Sequence, residues 1–165
     1  MAISSVIQDS AKADLLRAGT NFNTAGGTPA GHAFKIALYS SGSANLTTTT
    51  TQWVVASTPT NDPTNTYEVT TTASGYASGG NALTNTGVGT TTVTSFTDFS
   101  DTSWTSASFT ARGCLIYNTT AITGLTANRA VCSIDFGGDK TVSSGTFTIQ
   151  FPTNDSSSAI IRLTS

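Results

Sequence analysis

The chain contains few charged residues and has no cluster of basic ones. Charged residues make up 10% of its 165 residues and give a formal net charge of −2, against roughly 25% charged residues in an average soluble domain. Its Lys and Arg residues are scattered along the sequence. Nucleic acids and anionic membranes are both bound through clustered basic side chains. We therefore expect neither nucleic acid nor a membrane among the partners.

Long apolar runs, histidine and cysteine are also scarce. No apolar run approaches the roughly 20 residues that are needed to cross a bilayer. His32 is the only histidine, and we expect it at the surface, because a catalytic base needs a third group to orient it. Cys114 and Cys132 have no metal-site spacing. Both fall in predicted strands, so we expect buried, reduced thiols, with a disulfide as the alternative.

Two pairs of carboxylates are close in sequence, Asp98 with Asp101 and Asp135 with Asp139. Paired carboxylates can cleave glycosides, and clustered oxygen ligands can bind calcium. Each of these residues lies at or beside a predicted turn, where Asp commonly accepts hydrogen bonds from backbone N–H groups. We therefore expect no catalytic residue, no metal site and no cofactor, and a protein that is not an enzyme.

Ser and Thr make up about a third of the chain, and β-branched Thr favours strands. In residues 146–152, Phe147, Ile149 and Phe151 alternate with polar residues, which is typical of a strand with one buried face. Further strands are predicted over 33–39, 91–98, 104–117, 130–136 and 158–164. The pattern predicts a mainly β protein, an antiparallel β-sandwich or jelly-roll-like body with one short N-terminal helix.

The helix is predicted over residues 4–18, with Ser4 or Ser5 as its N-cap and Gly19 as its stop. It either folds onto the edge of the sheet or forms an arm that packs on a neighbouring molecule. We expect a single β-rich domain over residues 1–165, with the helix or arm of residues 1–20 and a long loop over residues 40–66 as extensions.

Several aromatic residues interrupt the polar segments. Trp53 lies in the long loop, and we expect it in the core in preference to a partner surface. Tyr76 lies among glycines, which predict a bend where two backbone segments pass closely. Together with Tyr39 and Trp104, these two residues could form a platform for stacking sugars, although the sequence does not place the four on one face.

Blocks along most of the chain resemble a family of small structural proteins from tailed bacteriophages. The blocks, in this order, are Ala13–Arg17, Phe34–Tyr39, Gly75–Thr84, Asp98–Trp104, Thr110–Asn118, Asp135–Lys140 and Phe147–Pro152. Residues 47–66 and the cysteines depart from the resemblance. It implies a virion component, and we expect a capsid decoration protein that is assembled in the bacterial cytoplasm and bound to the outer capsid surface.

The resemblance implies that the partner is the major capsid protein and that the chain forms a homo-trimer, as decoration proteins often do. The segments over 1–32 and 40–66 are expected to supply the contacts. The candidate contact residues are Ile3, Val6, Ile7, Leu15, Leu16 and Trp53. Two alternatives remain open, a tail, fibre or head–tail junction subunit and a glycan-binding β-sandwich on a host-facing surface.

Overall fold

The computed structural model describes residues 3–41, 46–54, 67–69 and 75–165. Much of the predicted loop over 40–66, including the Thr58–Thr64 stretch, lies outside the described residues. The elements are β1 (Val6–Ile7), α1 (Asp9–Leu16), β2 (Phe34–Tyr39), β3 (Asn81–Leu83), β4 (Asn85–Thr90), β5 (Thr94–Phe99), β6 (Thr102–Asn118), β7 (Arg129–Ile149) and β8 (Ile161–Thr164). They confirm a mainly β fold with two antiparallel sheets and one short helix.

One sheet has five strands in the order β1-β7-β6-β2-β3, and the other has three in the order β4-β5-β8. The strands predicted over 33–39, 104–117 and 130–136 are confirmed within β2, β6 and β7. The prediction over 158–164 was too long at its start. Just before this range, Asp155 accepts the N–H groups of Ser157 and Ser158 and holds a turn, so that β8 begins only at Ile161.

The predicted helix began too early, because Val6 and Ile7 form a strand. They pair with Ser133 and Cys132 at the edge of the five-stranded sheet, and this pairing satisfies their backbone groups in a way that the helical spacing did not predict. The helix begins at Asp9, with Gln8 as its N-cap. The segment therefore folds onto the edge of its own sheet, the first of the two alternatives.

Helix α1 is held to the sheet by a buried polar contact as well as by Leu15, which packs against the main core. Asp14 is fully buried, and both of its carboxylate oxygens accept hydrogen bonds from Arg129 of β7, at 2.8 and 3.1 Å. Ala11 is the other buried residue of the helix. A buried carboxylate must be paired to be tolerated, so this bidentate contact fixes where the helix docks.

The main core lies between the two sheets. Alternate residues of β2 and β6 point into it, among them Phe34, Ile36 and Cys114, and Phe99 and Ile161 reach it from the three-stranded sheet. The opposite face of the five-stranded sheet is also covered. There Tyr39, Leu115 and Tyr117 pack beneath Ile3, Leu46 and Trp53. Burial of both faces gives the body a layered, rigid centre.

The β6–β7 hairpin is interrupted by bulges. Ala111 pairs with Lys140, but Gly113 pairs with Asp135, so that residues 136–139 of β7 oppose Arg112 alone. Gly137 within this bulge has a φ of 73°, a left-handed conformation that favours glycine. The bulge divides β7 into an inner part within the five-stranded sheet and an outer part that begins at Lys140.

Candidate interaction surface

A buried carboxylate, that of Glu68, organises the polar centre of the layer outside the five-stranded sheet. Its Oε1 accepts the backbone N–H of Gly79 at 2.6 Å and the hydroxyl of Tyr76 at 2.8 Å. Its Oε2 accepts the indole N–H of Trp53 at 3.2 Å and the hydroxyl of Ser78 at 3.3 Å. Glu68 therefore holds three separate segments together, which is a structural role.

Further contacts of Tyr117 and Gly80 stabilise the region around Glu68. Tyr117 stacks on Trp53 with ring centroids 5.2 Å apart, and its hydroxyl donates to the carbonyl oxygen of Gly79. Burial and the nearby Glu68 carboxylate raise the pKa of Tyr117 above its ordinary value. A Cβ placed on Gly80 would lie 1.8 Å from the carbonyl oxygen of Ile36. The predicted close passage of two backbone segments at this glycine-rich bend is confirmed.

Three of the four paired carboxylates accept backbone N–H groups, the use of Asp that the turn interpretation predicted, whereas Asp139 is exposed. Asp98 is buried and accepts the N–H groups of Phe99 and Ile160, and burial raises the pKa of its carboxyl group. Asp101 accepts the N–H of Phe151. Asp135 accepts that of Gly137 and forms an ion pair with Arg112 at 2.9 Å, which lowers its pKa. The side chains of Asp98, Asp101 and Asp135 are thus occupied by structural contacts, and those to Phe151 and Ile160 join segments that are 50 and 62 positions apart.

No group of three or more His, Cys, Asp or Glu residues in the described part of the chain could hold a metal ion. Likewise, no helix among the described residues is long and apolar enough to cross a membrane. His32 is half-buried rather than fully exposed. The Nδ1 atom of His32 lies 2.9 Å from the side-chain amide nitrogen of Asn118, and burial lowers the pKa of the His32 imidazole.

Cys114 and Cys132 are free and buried, as the first of the two interpretations predicted. They face the main core from β6 and β7. Burial raises the pKa of Cys114 well above its ordinary value and that of Cys132 to about 12. Both side chains are therefore packed, unreactive thiols in this fold.

The four aromatic residues of the hypothetical sugar platform are buried and do not share a face. Tyr39 and Trp53 lie in the outer layer, whereas Tyr76 and Trp104 lie in the core between the sheets. A sugar-stacking surface needs exposed rings on one side. The structure therefore removes the feature on which the glycan-binding alternative depended.

The six candidate contact residues are scattered rather than gathered into one surface. Ile3 and Trp53 are buried within the chain, which confirms the core position expected for Trp53. Val6, Ile7 and Leu15 are half-buried against neighbouring parts of the fold. Leu16 is 92% exposed at the end of α1. Of this set, only Leu16 offers most of its side chain to solvent.

An apolar groove of about 520 Å³ lies beside the outer part of β7 and is here called the β7-edge groove. Half-buried apolar side chains that also pack against the main core form much of its lining. They are Ile134, Phe136, Phe147, Ile149, Phe151 and Ile160. The floor of the groove is thus continuous with the interior, which makes it a fixed feature of the body.

Aromatic contacts support the wall of this groove. The Phe147 ring lies 5.2 Å from the Phe109 ring, 6.0 Å from that of Trp104 and 6.3 Å from that of Phe136, measured between centroids. On the far side, Phe151 lies 5.9 Å from Phe99. These rings hold the lining side chains in place, so that a partner would meet a preformed apolar surface.

The outer edge of β7 borders the groove. Phe147, Thr148 and Ile149 are consecutive in β7, and all three line it. Because successive side chains of a strand point to opposite faces, a groove lined by consecutive residues runs along the edge of the strand. Among the described strands, β7 pairs on its outer side only with β1, at Ser133 and Cys132. The edge at the groove therefore has no neighbouring strand in the described part of the chain.

The alternation of Phe147, Ile149 and Phe151 is the sequence signal for this surface, but alternation by itself predicts only a strand with one buried face. A second apolar groove, of about 340 Å³, lies between α1 and the three-stranded sheet. It is lined in part by Leu15 and by Val88 and Leu163, which are 55% and 56% exposed. Of these two grooves, the β7-edge groove is the one that lies beside an edge of the five-stranded sheet with no neighbouring strand among the described residues.

Comparison of the chain with protein-family models, with curated proteins and with solved structures found no match.

Proposed function

We propose that this chain is a non-enzymatic structural protein of a tailed-bacteriophage virion, and that it is a decoration protein on the outside of the capsid. The observation that carries the proposal is the β7-edge groove, a preformed apolar attachment surface on a rigid body. The resemblance of the sequence blocks to phage structural proteins supplies the biological setting. Localisation on the capsid surface and the major capsid protein as partner follow from the same proposal.

The distribution of polar groups supports a binding role over a catalytic one. Three buried carboxylates, those of Asp14, Glu68 and Asp98, accept hydrogen bonds from within the chain. A catalytic acid or base must instead reach a substrate from an accessible site. These groups stabilise the body, and a stable body suits a protein that clamps neighbouring capsid subunits against internal pressure.

We further propose a homo-trimer. A decoration protein placed at a local three-fold position engages several capsid subunits at once, and binding through several equal contacts raises the overall affinity well above that of one contact. Only 10% of the residues are charged, so that repulsion between copies is weak. A tail, fibre or head–tail junction subunit remains the alternative placement, since the same groove would serve there.

Rebinding to capsids tests the proposal. Capsids that lack the protein are mixed with purified protein, and bound protein is separated by sedimentation. We expect saturable binding and an increased resistance of the capsids to heat and to low salt. Quantification of virion proteins gives the placement, because decoration requires hundreds of copies per particle, whereas tail and junction proteins are present in far fewer. Recovery of the protein only in isolated tails would refute the capsid placement.

A further inference from the structure

The outer part of β7 offers main-chain groups as well as apolar side chains. Ser5 accepts the N–H of Asp135 just before the bulge, and beyond it no described strand covers the outer edge. Unpaired strand edges are positions where an extended segment of another chain can add as a further strand. The groove runs along this edge at Phe147–Ile149.

The groove has one charged lining residue, Lys140, at its rim. Its side chain is exposed and forms no ion pair with an acidic residue of the described chain. The apolar lining favours apolar side chains in an occupant, and the lysine favours a carboxylate at one end. Because exposed charge pairs add little affinity but select between partners, Lys140 is expected to fix the direction of the bound segment.

The bulge has open space around Gly138, between Phe136 and Lys140, two residues that line the groove. A Cβ built on Gly138 meets no atom within 4 Å, and Gly138 does not have the positive φ found at Gly137. Nothing within the described fold therefore requires glycine at position 138. We expect a large side chain added there to leave the fold unchanged and to obstruct a partner that contacts both Phe136 and Lys140.

We propose that the β7-edge groove receives an extended segment of the major capsid protein, which adds as a strand to β7 at Phe147–Ile149. Apolar side chains of this segment fill the groove, and one of its carboxylates pairs with Lys140. The inference rests on the proposed function. A two-fold contact with a second copy fits less well, because it would bring one concave groove against another and would oppose the two lysines. A three-fold contact would place a different surface of the neighbouring copy at the groove, and the self-association measurement below tests that occupant.

Binding to capsids that lack the protein tests this mode with four proteins. They are the unmodified protein, Gly138→Arg, Lys140→Glu and, as the matched control, Gly26→Arg. A Cβ on Gly26 also meets nothing within 4 Å. Neither Gly26 nor any residue near it in sequence lines the groove, whereas Gly138 lies two residues from both Phe136 and Lys140, which do. We expect Gly138→Arg to weaken binding by at least about tenfold, because its side chain obstructs the approach of the partner. Lys140→Glu should weaken binding by a smaller factor, roughly severalfold, because it replaces an exposed attraction by a like-charge repulsion. The control is expected to bind like the unmodified protein.

Hydrogen–deuterium exchange separates strand addition from mere proximity. On capsids, the backbone amides of residues 145–150 should exchange more slowly than in free protein, because new inter-strand hydrogen bonds protect them. If the protein binds capsids but the exchange rates of these amides are the same as in free protein, strand addition is refuted. Thermal unfolding of each variant confirms that the fold is retained, so that lost binding reports on the surface.

The outcomes distinguish this inference from the proposed function. If the unmodified protein does not bind capsids, the proposed function and this choice of partner both fail. If it binds and the two groove variants bind equally well, only the inference fails. Analytical ultracentrifugation tests whether the groove binds a second copy of this chain instead. A self-association that Gly138→Arg abolishes, with capsid binding unchanged, would show that the groove binds a second copy and would overturn the inference.

Discussion

Replacement of Glu68 by Gln should destabilise the protein with almost no change of shape. The carboxylate is surrounded by donors, with Gly79 and Tyr76 at Oε1 and Trp53 and Ser78 at Oε2. Glutamine keeps one acceptor oxygen, but its amide nitrogen donates. If the remaining oxygen faces the N–H of Gly79, the amide nitrogen faces the indole N–H of Trp53, and two donors oppose each other.

The size of the effect follows from these contacts. Leaving a buried donor such as the Trp53 indole without an acceptor costs about 1–3 kcal/mol, and a hydrogen bond to a neutral group is weaker by about 1 kcal/mol than one to a charged group. The sum is about 2–4 kcal/mol. Relief of the desolvation cost of a buried charge moves the expectation for Glu68→Gln to the lower end of this range.

Urea unfolding followed by tryptophan fluorescence measures the change, with the free energy extrapolated to water. Asp139→Asn is the matched control, because it removes one carboxylate charge from an exposed position and should change the free energy of unfolding by less than about 0.5 kcal/mol. A Glu68→Gln protein as stable as this control would refute the view that the carboxylate joins the three segments.

Three further results are expected. Gly80→Ala should prevent folding, because its Cβ would lie 1.8 Å from a carbonyl oxygen at a φ of 66°, whereas Gly26→Ala should melt like the unmodified protein. Burial lowers the pKa of His32, so the folded state binds fewer protons than the unfolded one and the melting temperature should fall as the pH drops below about 6.5; His32→Gln should remove this part of the pH dependence. Ellman's reagent should leave Cys114 and Cys132 unlabelled in the native protein and label both in urea, and rapid native labelling would contradict their burial.

The sequence predicted the strands well where hydrophobic and polar residues alternate, as in β6 and β7, because that period reports directly on which side of a strand is buried. It failed at Val6 and Ile7, whose strand depends on the edge of β7. That edge is formed by residues more than 120 positions away, as the Val6–Ser133 pairing shows. A local helical spacing contains no information about such a distant partner.

The polar centre and the groove were harder to predict for the same reason. Glu68 was a single acidic residue in a Thr-rich stretch, and nothing in the local sequence indicated that Trp53 and Gly79 would donate to it. The alternation of Phe147 with Ile149 predicted a half-buried strand, and the structure confirms it. Whether such a face is covered by the same chain or remains open depends on how the strands are arranged in the sheets.

A reconstruction of the purified virion tests the central claim most directly. We predict density for the two-sheet body on the outside of the capsid shell, with the β7-edge groove facing a capsid subunit and an extended segment of that subunit lying along Phe147–Ile149. Density for this body in the tail or at the head–tail junction, with a bare capsid surface, would contradict the assignment as a decoration protein.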